Sequence, residues 1–259
     1  MLPKIFLGPV IIRTFWLMAV LGVICAVAIN NFLREKIPSL KTLENVPAPR
    51  QFAILAGMLF FFGIIGAKTA DIIWRFPKYA ANPWEIFGPK FISFGFLFST
   101  IIITEVYCRI RKFDTLKTLD LIFFTFPVFQ FFQRLGCFAK GCCFGTPTMS
   151  WVGINLTHSC RVMPKHPVPL YFMGLEILIF LIFLRLLRRP VKPGTIMFSY
   201  FALYCFGRFF IEFIRPEPNI SLWLAISIPQ VVCLELLILS CGFLWALNRP
   251  ANPPPHNKT

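Results

Sequence analysis

Long apolar stretches, separated by short polar segments, run from one end of the chain to the other. Seven of these stretches have about the 18 to 20 residues that a helix needs to cross the hydrocarbon core of a bilayer. They are predicted at about 15–33, 52–74, 91–110, 119–138, 168–187, 195–214 and 228–247. The pattern therefore predicts an all-α integral membrane protein with about seven transmembrane helices.

The connections between the stretches are short, which favours a single membrane domain. We predict one seven-span domain over residues 1–248 and a Pro-rich tail at 249–259 that is expected to be disordered. Of the 259 residues, 57% are hydrophobic and 14% are charged, and this composition excludes a soluble globular domain. Ala26-Val27-Ala28 could be a signal-peptide cleavage site, but six further apolar stretches favour a first membrane helix.

The formal net charge of +15 changes the picture less than its size suggests, because the basic residues follow the predicted loops. With the N-terminus outside, the segments placed inside carry fourteen lysines and arginines and those placed outside carry eight. The excess predicts an outside N-terminus and an inside C-terminus. It also indicates attraction to anionic lipid headgroups. Because no aromatic and basic RNA motif is present, no nucleic-acid partner is expected.

Charged residues inside the predicted spans are candidates for function, because a charge at membrane depth is costly unless it is paired or hydrated. Lys68 is expected to pair with Asp71, three residues further on. The segment 204–215 carries Tyr204, Arg208, Glu212 and Arg215 at spacings of four, four and three, which predicts one helix face. Such a stripe indicates a cavity inside the bundle. The alternative is an Arg208–Glu212 ion pair that only holds helices together.

A second cation lies in the segment RLGCFAKGCCFG at 134–145. Arg134 is followed by three glycines, which predicts that the helix breaks beside it and opens a polar pocket. Two arginines in a pocket that is open to lipid suit an anionic phosphodiester, since the guanidinium fork matches phosphate oxygens. His166, in KHPVPLYF just before the next span, is a further candidate at the membrane boundary.

The cysteines of this segment, Cys137, Cys142 and Cys143, have three possible interpretations. They can be small packing residues beside a tight glycine loop, which is the interpretation we favour. They can form a disulfide with one another or with Cys160 on an oxidising side of the membrane. They can bind a metal with His158, although no C-x-x-C pair is present. We therefore expect neither a metal nor another cofactor.

Taken together, these segments resemble one family, the prolipoprotein diacylglyceryl transferases. The resemblance rests on RLGCFAKGCCFG, on YCFGRFFIEFIR at 204–215, on KHPVPLY at 165–171, on IIGAK at 64–68, and on Gln230 at the start of the last span. The family transfers diacylglycerol from phosphatidylglycerol to the lipobox cysteine of a lipoprotein precursor, in the cytoplasmic membrane of bacteria. The resemblance implies that glycerol phosphate is the leaving group and that a thiol is the acceptor.

The resemblance also implies roles for individual residues. Catalytic roles are expected for Arg134, Arg208 and Glu212. Substrate-binding roles are expected for Arg134, Gly136, Tyr204, Arg215, His166, Tyr171 and Gln230.

The chain departs from the family pattern at several positions. Phe94-Gly95-Phe96 stands where typical members have His-Gly-Gly, and Phe172 stands where they have a glutamate. Cys137 replaces the signature asparagine, Cys142 a later acidic residue, and Phe15 an early tyrosine. Two other functions are therefore open: a lipid-binding paralogue without catalysis, and an anion transporter with its path lined by Arg134 and Arg208. A transporter should show paired broken helices, and only one broken region is predicted.

Overall fold

The computed structural model describes residues 4–7, 10–37, 40, 44–88, 93–155, 163–215 and 226–249. Seven long helices lie within these residues. They are α1 (Thr14–Lys36), α2 (Pro49–Trp74), α4 (Ser93–Arg111), α5 (Thr115–Lys140), α6 (Val168–Leu186), α7 (Thr195–Glu212) and α8 (Ile228–Asn248). A short helix, α3 (Phe76–Ala81), and a 3₁₀ turn (Pro83–Phe87) connect α2 to α4.

Each predicted span coincides with one long helix, and the ends agree to within four residues. The strands β1 (Lys4–Leu7) and β2 (Val10–Arg13), which form an antiparallel pair ahead of α1, were not predicted. Gly8-Pro9 between two short apolar runs is the turn signal that could have found them. Residues 250–259 of the predicted tail lie outside the described residues.

Five of the helices, α1, α2, α5, α6 and α8, are long and apolar enough to cross a membrane. The remaining long helices, α4 and α7, have 19 and 18 residues and are interrupted by polar side chains. The prediction of a helical membrane protein is therefore confirmed in its general form. The count of seven spans stays a prediction.

Helix α5 lies at the centre of the bundle, where it packs against α1, α4, α6 and α7. The side chains of Leu121, Phe123 and Phe124 in its first half are fully buried. The ring of Phe123 packs against those of Tyr200 and Phe201 on α7, with centroids 5.5 and 4.9 Å apart. Because lipid is as apolar as a protein core, such close packing and interhelical hydrogen bonds hold the bundle together.

Small residues let α2 and α4 cross at unusually short range. A Cβ atom added to Gly95 on α4 would lie 2.3 Å from the carbonyl oxygen of Gly66 and 2.9 Å from the Cα of Ala67. On α2, a Cβ added to Gly66 would lie 2.8 Å from the carbonyl oxygen of Gly95. The backbones of α2 and α4 approach so closely at this crossing that Gly66 and Gly95 have no room for a side chain. This explains why Gly95 is present although the histidine and the second glycine of the family motif are not.

Buried Asp120 joins the second turn of α5 to the first turn of α7. Its carboxylate accepts hydrogen bonds from the backbone N–H groups of Gly194, at 2.7 Å, and Met197, at 2.9 Å. These donors have no partner within their own helix, so the carboxylate caps α7 from outside it. At the same end of the bundle the N–H of Asp114 donates to the carbonyl oxygen of Asn45. The loops before α2, α5 and α7 therefore meet at this end.

Helix α5 does not break beside Arg134, contrary to the prediction. It continues through Gly136 to Lys140 and ends at Gly141, which has the left-handed φ of 76°. A Cβ at Gly136 would lie 3.1 Å from the Cβ of Met18 and 3.2 Å from the Cα of Phe15, both on α1. Gly136 thus allows α1 to approach α5 closely without ending the helix.

Candidate functional site

The predicted stripe on α7 is present over its first three residues. Nη1 of Arg208 donates a hydrogen bond to the hydroxyl oxygen of Tyr204 at 3.2 Å. Nε of Arg208 lies 3.8 Å from Oε2 of Glu212, and the two side chains are only 15% and 1% exposed. The i,i+4 spacing that predicted this arrangement is local, and it therefore survives in the folded chain.

Arg215 does not lie on this helix, contrary to the prediction of a four-residue face. Helix α7 ends at Glu212, and the N–H groups of Phe213, Ile214 and Arg215 each bond to the carbonyl oxygen three residues earlier. Pro216 follows at once, and a residue before proline disfavours the helical conformation. Arg215 is therefore placed in the loop after α7, near the thiol of Cys143.

Arg134 meets the stripe from the neighbouring helix. Its guanidinium Cζ lies 4.4 Å from the centre of the Phe172 ring on α6. That ring is in turn 6.2 Å from the ring of Tyr204. The guanidinium is close to the Tyr204 hydroxyl and within electrostatic range of Arg208. The two arginines that the sequence singles out therefore converge on Tyr204.

Each of the two arginines keeps one buried donor without a hydrogen bond among the described residues, although Nε of Arg208 lies 3.8 Å from the Glu212 carboxylate. The Nε atoms of Arg134 and Arg208 are buried and make no hydrogen bond within the described part of the chain. A buried donor without a partner costs about 1–3 kcal/mol, and more on a charged group. Two guanidinium groups that converge on one hydroxyl, each with a buried donor unused by the described residues, suit an anionic ligand.

Glu176 is a residue of this region that the sequence predictions missed. Its carboxylate is 1% exposed, accepts a hydrogen bond from the Tyr200 hydroxyl at 3.3 Å, and lies within electrostatic range of Arg134. The ring of Tyr200 stacks on that of Tyr204, with centroids 5.5 Å apart. An acidic residue inside the apolar run of α6 was the available signal, because a charge at membrane depth is costly. Glu176 places a buried carboxyl group one helical turn beyond Phe172.

His166 and Tyr171 lie together at the end of the bundle where α5 and α7 finish. Nδ1 of His166 is 3.0 Å from the Tyr171 hydroxyl. Several backbone bonds tie the loop after α5 to this place, among them those from the N–H of Gly145 to the His166 carbonyl oxygen and from the N–H of Thr146 to that of Ile214. A Cβ at Gly145 would lie 2.6 Å from the Ile214 carbonyl oxygen, so this glycine is required by the close approach of the loops.

The amide of Gln230 joins the start of α8 to α7. Its Nε2 donates to the carbonyl oxygen of Phe209 at 3.3 Å, and its Oε1 accepts from the N–H of Ser227 at 2.8 Å. Gln230 is 2% exposed, and its partner Phe209 directly follows Arg208 in α7. Its contacts position helices, as do those of Gly136, and the substrate-binding roles of both residues stay predictions.

The expected pair of Lys68 and Asp71 is confirmed, with Nζ 3.5 Å from Oδ2. Asp71 is fully buried and also accepts a hydrogen bond from the Tyr79 hydroxyl, while Nε of Arg75 lies 3.3 Å from its Oδ1. Lys68 donates in addition to the Gly88 carbonyl oxygen at 3.1 Å. This cluster therefore fastens α3 and the 3₁₀ turn to the end of α2.

The described cysteines carry free thiols. Cys137 is buried, as a packing residue should be, but Cys143 is exposed, so the packing interpretation fails for it. Hydrogen bonds from the thiols of Cys137 and Cys142 lower the pKa of the Cys143 thiol. Cys160 and His158, the other predicted partners, lie outside the described residues.

An apolar cavity of about 60 Å³ opens between α1, α2, α4 and α5. It is lined chiefly by aromatic and aliphatic side chains, among them Val23, Phe52, Phe60, Phe96 and Phe126. The ring of Phe96 stacks on that of Phe129, with centroids 6.0 Å apart and planes 10° apart. Helix α5 lines this cavity and carries Arg134 further along, so one helix borders both an apolar space and the cationic site.

Known proteins match this chain over most of its length. The sequence model of one family, described as prolipoprotein diacylglyceryl transferase, matches residues 3–246. Three similar proteins are each named phosphatidylglycerol–prolipoprotein diacylglyceryl transferase. The one from Clostridium tetani is 31% identical over 72% of this chain and 76% of its own length. The one from Chlorobaculum tepidum is 34% identical over 76% and 70%, and that from Symbiobacterium thermophilum 29% identical over 95% and 92%. The chain therefore belongs to the prolipoprotein diacylglyceryl transferase family.

Proposed function

We propose that this protein transfers the diacylglyceryl group of phosphatidylglycerol to a cysteine thiol of a lipoprotein precursor. The observation that carries the proposal is the convergence of Arg134 and Arg208 on Tyr204 in the interior of a helical membrane bundle. The names of the related proteins identify phosphatidylglycerol and a prolipoprotein as their substrates. The two arginines offer the cationic donors that an anionic lipid headgroup needs. The acceptor is the lipobox cysteine.

The two arginines act on the phosphate. The acceptor sulfur attacks the glycerol carbon, the carbon–oxygen bond breaks, and glycerol phosphate leaves with the bonding electrons. Charge on the departing phosphate grows during this step, so fixed donors aimed at it lower the barrier. A guanidinium fork can hold two phosphate oxygens at once. Glu212, 3.8 Å from Nε of Arg208, orients that fork.

Four other predicted residues have supporting roles in this proposal. Tyr204 holds Arg208, and the pair of His166 and Tyr171 lies at the rim where the loops after α5 and α7 meet. The apolar cavity beside α5 can accept an acyl chain, because hydrocarbon needs no polar partner. Arg215 lies on the same rim and can attract the anionic headgroup before it enters.

A transfer assay tests the proposed function directly. Purified protein in detergent is given labelled phosphatidylglycerol and a lipobox peptide, and the peptide is expected to gain the mass of one diacylglyceryl group. A peptide with serine in place of the cysteine is the control and is expected to stay unmodified, since the thiol is the nucleophile. Labelled lipid that binds without any peptide modification would replace the transferase by the lipid-binding paralogue.

We further propose that all seven long helices cross the bacterial cytoplasmic membrane, with the N-terminus outside and the C-terminus inside. The basic loops before α2, α5 and α7 meet at one end of the bundle, which suits the inside. The loops that carry His166, Gly145 and Ile214 meet at the other end. If successive long helices cross the membrane in opposite directions, the loops before α2, α5 and α7 lie on one side and the loops after α5 and α7 lie on the other. The candidate site would then lie towards the outer side.

Reporter fusions test this orientation. A reporter that is active only inside is expected to work when fused after Thr259 and to be silent when inserted near Ser150, in the loop after α5. An outside-only reporter should give the opposite result at each position, since the fourteen-to-eight excess of basic residues holds the C-terminus inside. Activity of the inside-only reporter near Ser150 would refute the orientation.

A further inference from the structure

Three thiols gather at the end of α5. The sulfur atoms of Cys137, Cys142 and Cys143 all lie within 4.8 Å of one another, and those of Cys142 and Cys143 are 3.6 Å apart. Cys137 belongs to the last turn of the helix, and the other two follow it in the loop. The sequence predictions treat them mainly as packing residues, and the folded chain makes them neighbours in space.

The helix end builds this cluster. The N–H of Cys142 bonds to the carbonyl oxygen of Cys137 at 3.1 Å, and that of Gly141 to Phe138 at 3.0 Å, which is a Schellman motif. The motif folds the chain back, so that Cys142 returns to the turn that carries Cys137. Cys143 then has a left-handed φ of 65°, unusual for a residue other than glycine, and its thiol stays beside the other two.

The spacing suits one metal ion. Three thiolates at about 2.3 Å from a single Zn²⁺ place their sulfur atoms roughly 3.8 to 4.0 Å apart. The sulfur atoms of Cys142 and Cys143, 3.6 Å apart, are already close to that spacing, and no two of the three sulfur atoms are more than 4.8 Å apart, so small side-chain movements are enough to bring them around one ion. Soft thiolate ligands select Zn²⁺ and Cu⁺ over hard cations such as Mg²⁺ and Ca²⁺.

The surroundings of the cluster favour a negatively charged complex. Three thiolates around a divalent ion carry one net negative charge, which needs cations nearby. Arg134 and Arg215 are both within electrostatic range of Cys143, and Lys140 of Cys142. Burial falls along the cluster, from buried Cys137 to exposed Cys143. An ion held here would therefore have one open side, as catalytic zinc sites with three protein ligands do.

We propose that Cys137, Cys142 and Cys143 bind one thiophilic metal ion, Zn²⁺ or an ion of the same preference, whose open position takes the acceptor thiol. The second half of this proposal rests on the proposed transferase function. A thiol that coordinates such an ion loses its proton to solvent and becomes a thiolate. The thiolate sulfur then forms a bond to the glycerol carbon, glycerol phosphate departs with the electron pair, and the neutral thioether leaves the metal. No oxidant or reductant is needed.

Metal binding can be measured without any activity. Purified metal-free protein is titrated with Cd²⁺ alone, a zinc substitute whose bonds to sulfur absorb in the ultraviolet, and one equivalent is expected to bind. Cys143→Ser is expected to weaken binding by about a hundredfold, because one of three thiolates is lost. Cys143 is exposed, so its replacement leaves the core intact and the loss cannot come from misfolding. Cys241→Ser, at another exposed cysteine on α8, is the matched control and should bind as the wild type does.

The acceptor role has its own measurement. Adding the lipobox peptide to the Cd²⁺-loaded protein is expected to increase the sulfur–cadmium absorption by one ligand, and the serine peptide is expected to leave it unchanged. Equal Cd²⁺ affinity in the wild type and in Cys143→Ser would overturn the metal site. Transfer that continues at full rate after the metal is chelated would overturn the acceptor role and leave the proposed transferase standing. Absence of transfer by the metal-loaded protein, with Cd²⁺ still bound, would refute the transferase and not the site.

Discussion

Replacement of either Arg208 or Arg134 by alanine is expected to reduce the rate of diacylglyceryl transfer by about a hundredfold or more, since one lost donor to developing charge costs about 3 kcal/mol. Both guanidinium groups approach Tyr204, and their buried Nε atoms have no hydrogen-bond partner within the described chain. We expect the departing phosphate to bind beside Tyr204, where the two guanidinium groups converge. The rate is measured with purified protein, labelled phosphatidylglycerol and a lipobox peptide.

Three further variants show whether the loss is specific. Arg208→Lys should recover only part of the rate, because an ammonium cannot form the two-pronged contact of a guanidinium. Glu212→Gln should cost less than Arg208→Ala, because its carboxylate orients Arg208 and does not touch the phosphate. Arg188→Ala, on an exposed residue after α6, removes the same charge elsewhere and should leave the rate unchanged. Full activity in Arg208→Ala would exclude the arginines from the chemistry.

Gly95→Ala is expected to destabilise the protein by about 3 kcal/mol, the upper range for adding atoms to a packed interior. The added Cβ would lie 2.3 Å from the Gly66 carbonyl oxygen and 2.9 Å from the Cα of Ala67. Both are backbone atoms, which cannot rotate aside, so α2 and α4 would have to separate. The midpoint of thermal unfolding in detergent, followed by circular dichroism, measures the loss.

Gly57→Ala is the matched control, because nothing lies within 4 Å of a Cβ at that glycine, which is exposed on α2. It should leave the unfolding midpoint unchanged or raise it slightly, since alanine favours the helix. Gly66→Ala should also lower the midpoint, because its added Cβ would lie 2.7 Å from the Cβ of Ser99 and 2.8 Å from the Gly95 carbonyl oxygen, and neither atom can rotate away. Equal midpoints for Gly95→Ala and Gly57→Ala would show that the crossing is loose.

The helices could be predicted from sequence because each apolar run has the length of a span, and length needs no knowledge of neighbours. The Tyr204–Arg208–Glu212 stripe and the Lys68–Asp71 pair could be predicted for a related reason, since residues three and four apart in a helix are always neighbours. These features are properties of a single helix. They do not depend on how the bundle is assembled.

What the sequence could not show are the contacts between helices. The break predicted at Arg134 was wrong because glycine in a helix can equally mark the close approach of another helix, as Gly136 does for α1. The Phe172 ring against Arg134, the Tyr200–Glu176 bond and the three gathered thiols all join residues through space. Arg215 was misplaced because the helix was assumed to continue to the proline.

The cap that Asp120 provides has a consequence for the biogenesis of the protein. Its two partners come 74 and 77 residues later in the chain, so they do not exist when α5 leaves the ribosome. At about 5 to 20 residues per second, roughly 4 to 15 seconds of synthesis separate the carboxylate from its donors. During that interval the carboxylate must keep its water or hold a proton. The cap can therefore form only after Gly194 and Met197 have been synthesised, so this contact between α5 and α7 is made late in biogenesis.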